Sequence, residues 1–288
     1  MVVSGTLTLD TTRLRGEERV RVPGGSALYA ALAAQMILPV RVVGVAGSDF
    51  PLDAFPARAP WIDTSAVEVL PGPTFEWSAE YSDDGNMRLT RARIPGVEVG
   101  HLPRVPEPAL MHDYLLLASA NPRVQAAVLA ACPDVHMVGL DSMTHWWHAE
   151  PDALRALLPR VKILFLNEEE LAAATSHGDP RELMRLGPEV VVVKCGSRGA
   201  WLQRQGGARV SVPAVAARLV DATGAGDAFA GAFMAMQHHR RGHDDEWVLR
   251  NAAVVAAFAV EGIGVAGLLH AATPGVLDAR RYAVGVGW

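Results

Sequence analysis

Short β-branched runs that alternate with longer Ala/Leu-rich stretches constrain this chain more than any other feature. The runs at 40–45, 114–117, 135–140, 163–166 and 190–194 are interleaved with helical patterns at 26–36, 122–131, 151–158, 168–175 and 225–237. Strand, helix, strand in this order makes crossover units, which lay strands parallel and cover the sheet with helices. Val190-Val191-Val192-Val193 shows no polar face at period two, so it reads as a strand buried on both sides. With 288 residues, 50% of them hydrophobic, the chain can bury a core large enough for one big α/β unit with an appended subdomain. Open α/β sheets bind ligands outside the carboxyl ends of their strands, and Lys194 and Gly196 fall at that edge.

Residues 63–100 read differently. Thr74-Phe75-Glu76-Trp77-Ser78-Ala79-Glu80-Tyr81 alternates at period two, Asp83-Asp84-Gly85-Asn86 supplies turn residues, and 87–94 alternates again. That pattern predicts a β-hairpin outside the main sheet. The linker 101–108, with Pro103, Pro106 and Pro108, marks the return to the core.

Charge and cysteine usage narrow the classes. A net charge of −5 without a long Lys/Arg run argues against a nucleic-acid partner. Two cysteines, Cys132 and Cys195, are too few for a disulfide framework and match no metal spacing. No apolar stretch approaches the roughly 18 residues that span a bilayer, and no export signal opens the sequence, so a cytoplasmic location without membrane contact is expected.

The chemistry concentrates in Asp221-Ala222-Thr223-Gly224-Ala225-Gly226-Asp227, followed by an apolar-periodic helix. Gly224, Ala225 and Gly226 carry almost no side chain, so an anion can approach their backbone N–H groups, while the helix start adds unpaired donors and partial positive charge. Asp227 stands at the rim of that pocket, able to accept a proton. This is the local equipment of phosphoryl transfer, although a Gly-rich turn with a capping Asp has the same letters.

Asp-x-Thr-Gly-Ala-Gly-Asp-x-Phe at 221–229 resembles the carboxy-terminal signature of the ribokinase-like (PfkB) carbohydrate kinases. Further marks follow the family's order: Pro23-Gly24-Gly25-Ser26-Ala27 is similar to its Gly-Gly motif, Asn167-Glu168-Glu169-Glu170 to its Asn-x-x-Glu, and Val193-Lys194-Cys195-Gly196-Ser197-Arg198-Gly199 to its strand-end Gly-x-x-Gly. The resemblance implies a three-layer α/β/α core with a mainly parallel sheet and a small β-rich lid. The expected division is a core of 1–10, 23–62 and 101–288 and a lid of 11–22 and 63–100. ATP and magnesium are the implied cofactors, a monovalent cation such as potassium remaining open. A homodimer through the lid, with Phe75, Trp77 and Tyr81 on the shared face, is implied as well.

The resemblance also assigns roles. Asp227 matches the catalytic base, with Gly224, Ala225 and Gly226 as the anion hole. Asn167 and Glu170, three apart on one helix face, are read both as an N-cap with its capping-box partner and as the pair that orders magnesium through water. Lys194, Gly196, Gly199, Thr223 and Asn251 are the nucleotide-side candidates. Each keeps a plainer reading, Lys194 as a solvated cation after a hairpin strand and Asn251 as a polar helix position. For the acceptor the candidates are Asp10, whose carboxylate can accept two hydroxyl protons, Gly24 and Gly25, and Asp141 at a strand's carboxyl end. The chain departs from the common pattern at Ala222, where Thr or Ser is usual, and at Tyr29, where ribokinase-like sequences often have Asn.

Other features carry less. Gly262-Ile263-Gly264-Val265-Ala266-Gly267 follows a helix instead of a strand, so it lacks the context of a dinucleotide fingerprint. The expectation is an ATP-dependent kinase acting on a hydroxyl of a small polyol, a sugar first. The alternatives are a nucleoside or inositol kinase of the same fold, or a non-catalytic sugar sensor on this scaffold.

Overall fold

In the computed structural model, residues 1–55, 58–85, 88–106, 113–240 and 242–287 are described. In chain order they form β1 (Val2–Ser4), β2 (Thr8–Leu14), β3 (Glu17–Gly24), α1 (Ser26–Ala34), β4 (Val40–Gly47), β5 (Ile62–Leu70), β6 (Glu76–Tyr81), β7 (Arg88–Ile94) and β8 (Tyr114–Leu117). Then come α2 (Pro122–Ala130), β9 (Met137–Leu140), α3 (Thr144–Ala149), α4 (Pro151–Leu157), β10 (Ile163–Asn167), α5 (Glu168–Ala174), α6 (Pro180–Met184) and β11 (Val190–Lys194). The chain ends with β12 (Ala200–Arg204), β13 (Arg209–Val212), α7 (Ala225–Met236), α8 (Asp245–Val260), α9 (Ala266–Ala271) and α10 (Val276–Ala283). Asn86, Met87 and Pro108, expected in the hairpin and the linker, lie outside the described residues.

The large sheet runs β13-β12-β11-β10-β9-β8-β1-β4-β5, parallel from β11 to β5 and closed on one side by the antiparallel β12 and β13. Alternate residues of the central strands enter opposite cores. Val190 and Val192 pack with Phe165 among the residues of α1, α7 and α8, whereas Val191 and Val193 pack with Leu164 and Leu166 against the α2, α4 and α5 side. A valine buried this way contributes about 1.5–3 kcal/mol, which explains why no position of β11 before Lys194 is polar. On the first face α1 and α7 approach so closely that a Cβ on Gly231 would lie 2.2 Å from the Ala30 carbonyl oxygen.

The smaller sheet runs β3-β2-β6-β7, with β2 and β6 parallel and both outer pairs antiparallel. Two expectations need correction here. Residues 63–70 are expected in the lid segment 63–100, but they belong to β5, the edge strand of the large sheet, paired in parallel with β4. An edge strand covered on one face carries polar residues on the other, so its sequence mimics a lid strand. The small sheet in turn takes in Thr8–Leu14 and Glu17–Gly24, reaching residues expected in the core. Second, Trp77 and Tyr81 do not present a shared face to another copy. They are buried with Ala79 against Leu14, Phe75 and Ala222.

Candidate active site

The first turn of α7 forms the centre of the site. Gly224 is its N-cap with φ 73, a left-handed conformation that offers no side-chain acceptor to the helix. The first bond of the helix runs from Ala228 N to Gly224 O at 2.8 Å, so the N–H groups of residues 225–227 precede the ladder as first-turn donors. Beneath them lies the ring of Tyr29. Asp221 shapes the approach: its Oδ1 accepts from Thr223 N at 2.9 Å and its Oδ2 accepts from Gly264 N at 3.3 Å. The glycine run at 262–267 thus serves as a loop folded onto the cradle.

Around this turn stand buried carboxylates and one lysine. Burial pushes Asp227 up to about 7, and Asp141 adds to the push while Lys194 and Arg88 oppose it. Lys194 ends β11 and its Nζ lies 2.5 Å from Asp141 Oδ2, with both side chains largely shielded. A Cβ on Gly226 would sit 3.4 Å from that Nζ, which puts the ammonium over the first turn of α7. Burial works against the charge of Lys194, but Asp141, Glu170 and Asp227 outweigh it and hold the proton more firmly than usual. Lys194 is therefore no solvated cation. Asp141, offered for the acceptor, belongs to this lysine and to Ser142 N at 2.9 Å.

Asn167 and Glu170 form a complete capping box at the start of α5. Glu170 N donates to Asn167 Oδ1 at 2.8 Å, and Asn167 N and Nδ2 donate to Glu170 Oε2 and Oε1 at 2.8 and 2.9 Å. Burial raises Glu170 to about 7, Lys194 pulling it down and Asp141 pushing it up. Both oxygens of Glu170 are engaged, so a hard cation contacting it through water leaves the box intact. That donor chemistry fits magnesium, which keeps several of its waters.

On the other side, Asp10 lies buried at the base of the small sheet, its Oδ1 accepting from Thr8 Oγ1 at 2.5 Å. Burial raises it to about 7; the Thr8 bond opposes this, and the charges of Asp221 and Asp227 reinforce it. Its Oδ2 occupies the space beside Gly24, where a Cβ would lie 2.1 Å away. Gly25, with φ 100, caps α1 and faces the Thr6 carbonyl. Asp10, Gly24, Gly224 and Asp227 thus converge, with Tyr29 between the two glycine turns.

Other candidates sit apart. Gly196 and Gly199, with φ 58 and 96, shape the turn from β11 to β12, and a Cβ on Gly199 would meet the Val212 oxygen at 2.1 Å. Their folding role is the plain hairpin one. Asn251 is only 1% exposed, and its Nδ2 donates to Trp247 O at 2.8 Å, so it is an interior residue of α8 instead of a surface one. Thr223 Oγ1 donates to Tyr81 Oη at 3.1 Å, a tie from cradle to small sheet that spacing did not announce. Thr8 shared a strand face with Asp10 at i, i+2 and was legible in retrospect.

Comparison with known proteins decides what this arrangement belongs to. Residues 122–272 match the model of the pfkB family carbohydrate kinases. The cytidine kinase of Thermococcus kodakarensis is 30% identical over 244 residues, 82% of this chain and 87% of that protein. The chain belongs to the PfkB family. It is an ATP-dependent kinase of the ribokinase fold, within a family that acts on sugars and nucleosides and uses magnesium with its nucleotide. The same fold recurs in the Burkholderia thailandensis nucleoside kinase in complex with inosine, with a TM-score of 0.80 and 21% identity, covering 99% of this chain and 97% of that one. It recurs too in Arabidopsis thaliana ribokinase complexed with ribose and ATP, TM-score 0.69 and 23% identity, covering 99% and 97%. Among the described residues no helix is long and apolar enough to cross a membrane.

Proposed function

We propose that this PfkB kinase phosphorylates the primary hydroxyl of a ribose-bearing acceptor, a nucleoside ahead of a free sugar. The observation that carries the reading is the buried Asp10 carboxylate, which fills the space beside Gly24 and feels the charge of Asp227. A carboxylate at that place accepts a pair of neighbouring hydroxyls, holding a third oxygen toward the base. Tyr29, packed under Gly224, supplies no amide where ribokinase-like sequences often have Asn. Together with the similarity to a cytidine kinase over most of the chain, this favours the nucleoside.

In this reading Asp227 takes the proton of the acceptor hydroxyl as its oxygen attacks the γ-phosphorus. Its elevated pKa makes it a stronger base than an ordinary carboxylate, matched to neutral pH. The amides of Gly224, Ala225 and Gly226 and the ammonium of Lys194 face the charge that spreads over the transferring oxygens. Glu170, with Asn167, would hold magnesium through water, and the ion when bound neutralises the β- and γ-phosphates. The small sheet acts as the lid that excludes water.

ADP release measured over a panel of ribonucleosides, ribose, other sugars and inositols tests this, with Asp227→Asn as control. A nucleoside should exceed ribose in kcat/KM by roughly tenfold or more. Preference for ribose would shift the assignment to the free sugar. A ligand that raises the melting temperature without any turnover would point to a sensor.

A further inference from the structure

The arginines of the small sheet divide by face. Arg91 pairs with Glu80 and Arg13 with Glu18, all on strands whose outward residues are exposed. Arg88 and Arg93 turn the other way. In the β6–β7 ladder Arg88 is directly opposite Tyr81 and Arg93 opposite Trp77, and opposed residues stand on the same face. On β6 that face is buried and its Tyr81 hydroxyl meets Thr223 next to the cradle, while on β7 Arg93 is half-buried and Arg88 stays exposed at the rim. The Arg88 guanidinium lies 5.5 Å from the centre of the Trp77 ring, a stacked position that aims it without neutralising it.

Among the described residues neither guanidinium has a carboxylate partner, although carboxylates are numerous nearby. Arg93 is held below the ordinary arginine range by burial and by the like charge of Arg88. The field of Arg88 reaches Asp227 and Glu170, and that of Arg93 reaches His145 at the start of α3. The two cations therefore overlook the gap between the base and the loops that follow β9 and β10. Two like charges placed together without a counter-charge, one of them half-buried, are unfavourable alone and favourable around an anion.

We propose that Arg88 and Arg93 form an anion clamp on the underside of the lid that closes on the nucleotide's polyphosphate, Arg88 bearing on the phosphoryl group in transfer. The inference rests on the kinase reading above. In the step itself, the acceptor oxygen bonds to the γ-phosphorus as the bond from phosphorus to the β–γ bridging oxygen breaks. The proton passes to Asp227 and ADP leaves with the bridging electrons. A planar guanidinium can donate to two of the equatorial oxygens at once, which an ammonium cannot.

The test compares the wild type with R88Q, R88K and R93Q, each as the full chain with its best acceptor. R88Q should lose about 10²-fold or more in kcat with the acceptor KM nearly unchanged, and R88K should recover part of the loss. R93Q should raise the KM for ATP about tenfold. As a second readout, ADP with aluminium fluoride and acceptor should bind R88Q far more weakly than wild type, while ADP alone binds both equally. Equal kcat in R88Q and wild type would overturn the clamp. So would a loss confined to KM for a phosphorylated acceptor, which would assign the arginines to that substrate. Wild type inactive on every acceptor would sink the kinase reading, whereas the aluminium fluoride comparison judges the clamp alone.

Discussion

The ring of Tyr29 fills the space that a side chain at Gly224 would need: a Cβ there would lie 2.2 Å from Tyr29 Cγ and Cδ1. Gly224 also holds φ 73, which L-residues adopt at a penalty. Both constraints act where the anion-binding turn begins. Gly224→Ala should therefore destabilise the protein by about 1–3 kcal/mol and lower kcat by roughly 10² through displaced amides. Tyr29→Ala alone costs stability by opening a cavity at a fully buried ring, but in the Gly224→Ala background it also removes the clash, so the double variant should lose less than the sum of the two single losses. Thermal melts of the two single variants and the double variant measure the coupling, expected at about 0.5–3 kcal/mol.

Asp227→Asn removes the base while keeping the shape of the cleft. We expect kcat to fall by about 10²–10⁴ with ATP binding retained. In the wild type, activity requires the ionised carboxylate, so kcat/KM should rise with pH and level off above about 7. Stopped assays across pH 5–9 would show that rise, and a wild-type profile already flat below pH 6 would exclude Asp227 as the titrating base.

Asp10 makes a prediction about stability. Its folded value of about 7 stands above the ordinary 3.8, so the unfolded chain ionises first as pH rises. Its contribution is thus complete below about pH 4 and is lost as pH climbs through 7, on the order of 4 kcal/mol by the ratio of 1.36 per pKa unit. Asp10→Asn keeps an oxygen for Thr8 and abolishes that slope. Urea unfolding at pH 5 and pH 8 should show the variant gaining on the wild type as pH rises. The same ionisation should tighten acceptor binding in the wild type toward alkaline pH.

What the sequence disclosed follows from what is local. The core of the parallel sheet was legible because β10 and β11 are buried on both faces and so carry no polar alternation. The cradle was legible because an anion turn needs small residues in a row. β5 was misplaced since one exposed face made it look like a lid strand. The tie between Thr223 and Tyr81 joins residues 142 apart, and the place of Arg88 opposite Tyr81 depends on a bulge between Ser78 and Ala79, so no short pattern could announce either. Asp141 reads as a lone acid at a strand end until β11 brings Lys194 beside it.

Glu170 separates two roles that share one side chain. Glu170→Gln keeps an acceptor for one of the two bonds from Asn167, so the capping box should lose only about 1 kcal/mol, visible as a small drop in melting temperature. The charge that would attract magnesium is gone. Activity titrated with magnesium should then need several-fold more ion for half-saturation, whereas Asn167→Ala should lose stability first. Equal magnesium dependence in Glu170→Gln and wild type would leave Glu170 as a helix cap alone.

The burial of Trp77 and Tyr81 moves any pairing surface to the other face of the small sheet. Val20, Leu89 and Ile94 are 63%, 54% and 55% exposed on β3 and β7, the two edge strands. Unpaired edges with exposed apolar side chains favour addition of another strand or stacking on a second sheet. We therefore expect a homodimer that buries these residues, so light scattering after size exclusion should give twice the 30.7 kDa of one chain. Leu89→Glu combined with Ile94→Lys should return it to a monomer with its melting profile otherwise preserved. A wild type that stays monomeric at concentrations well above assay conditions would remove the lid interface from consideration, leaving the active site complete within one chain.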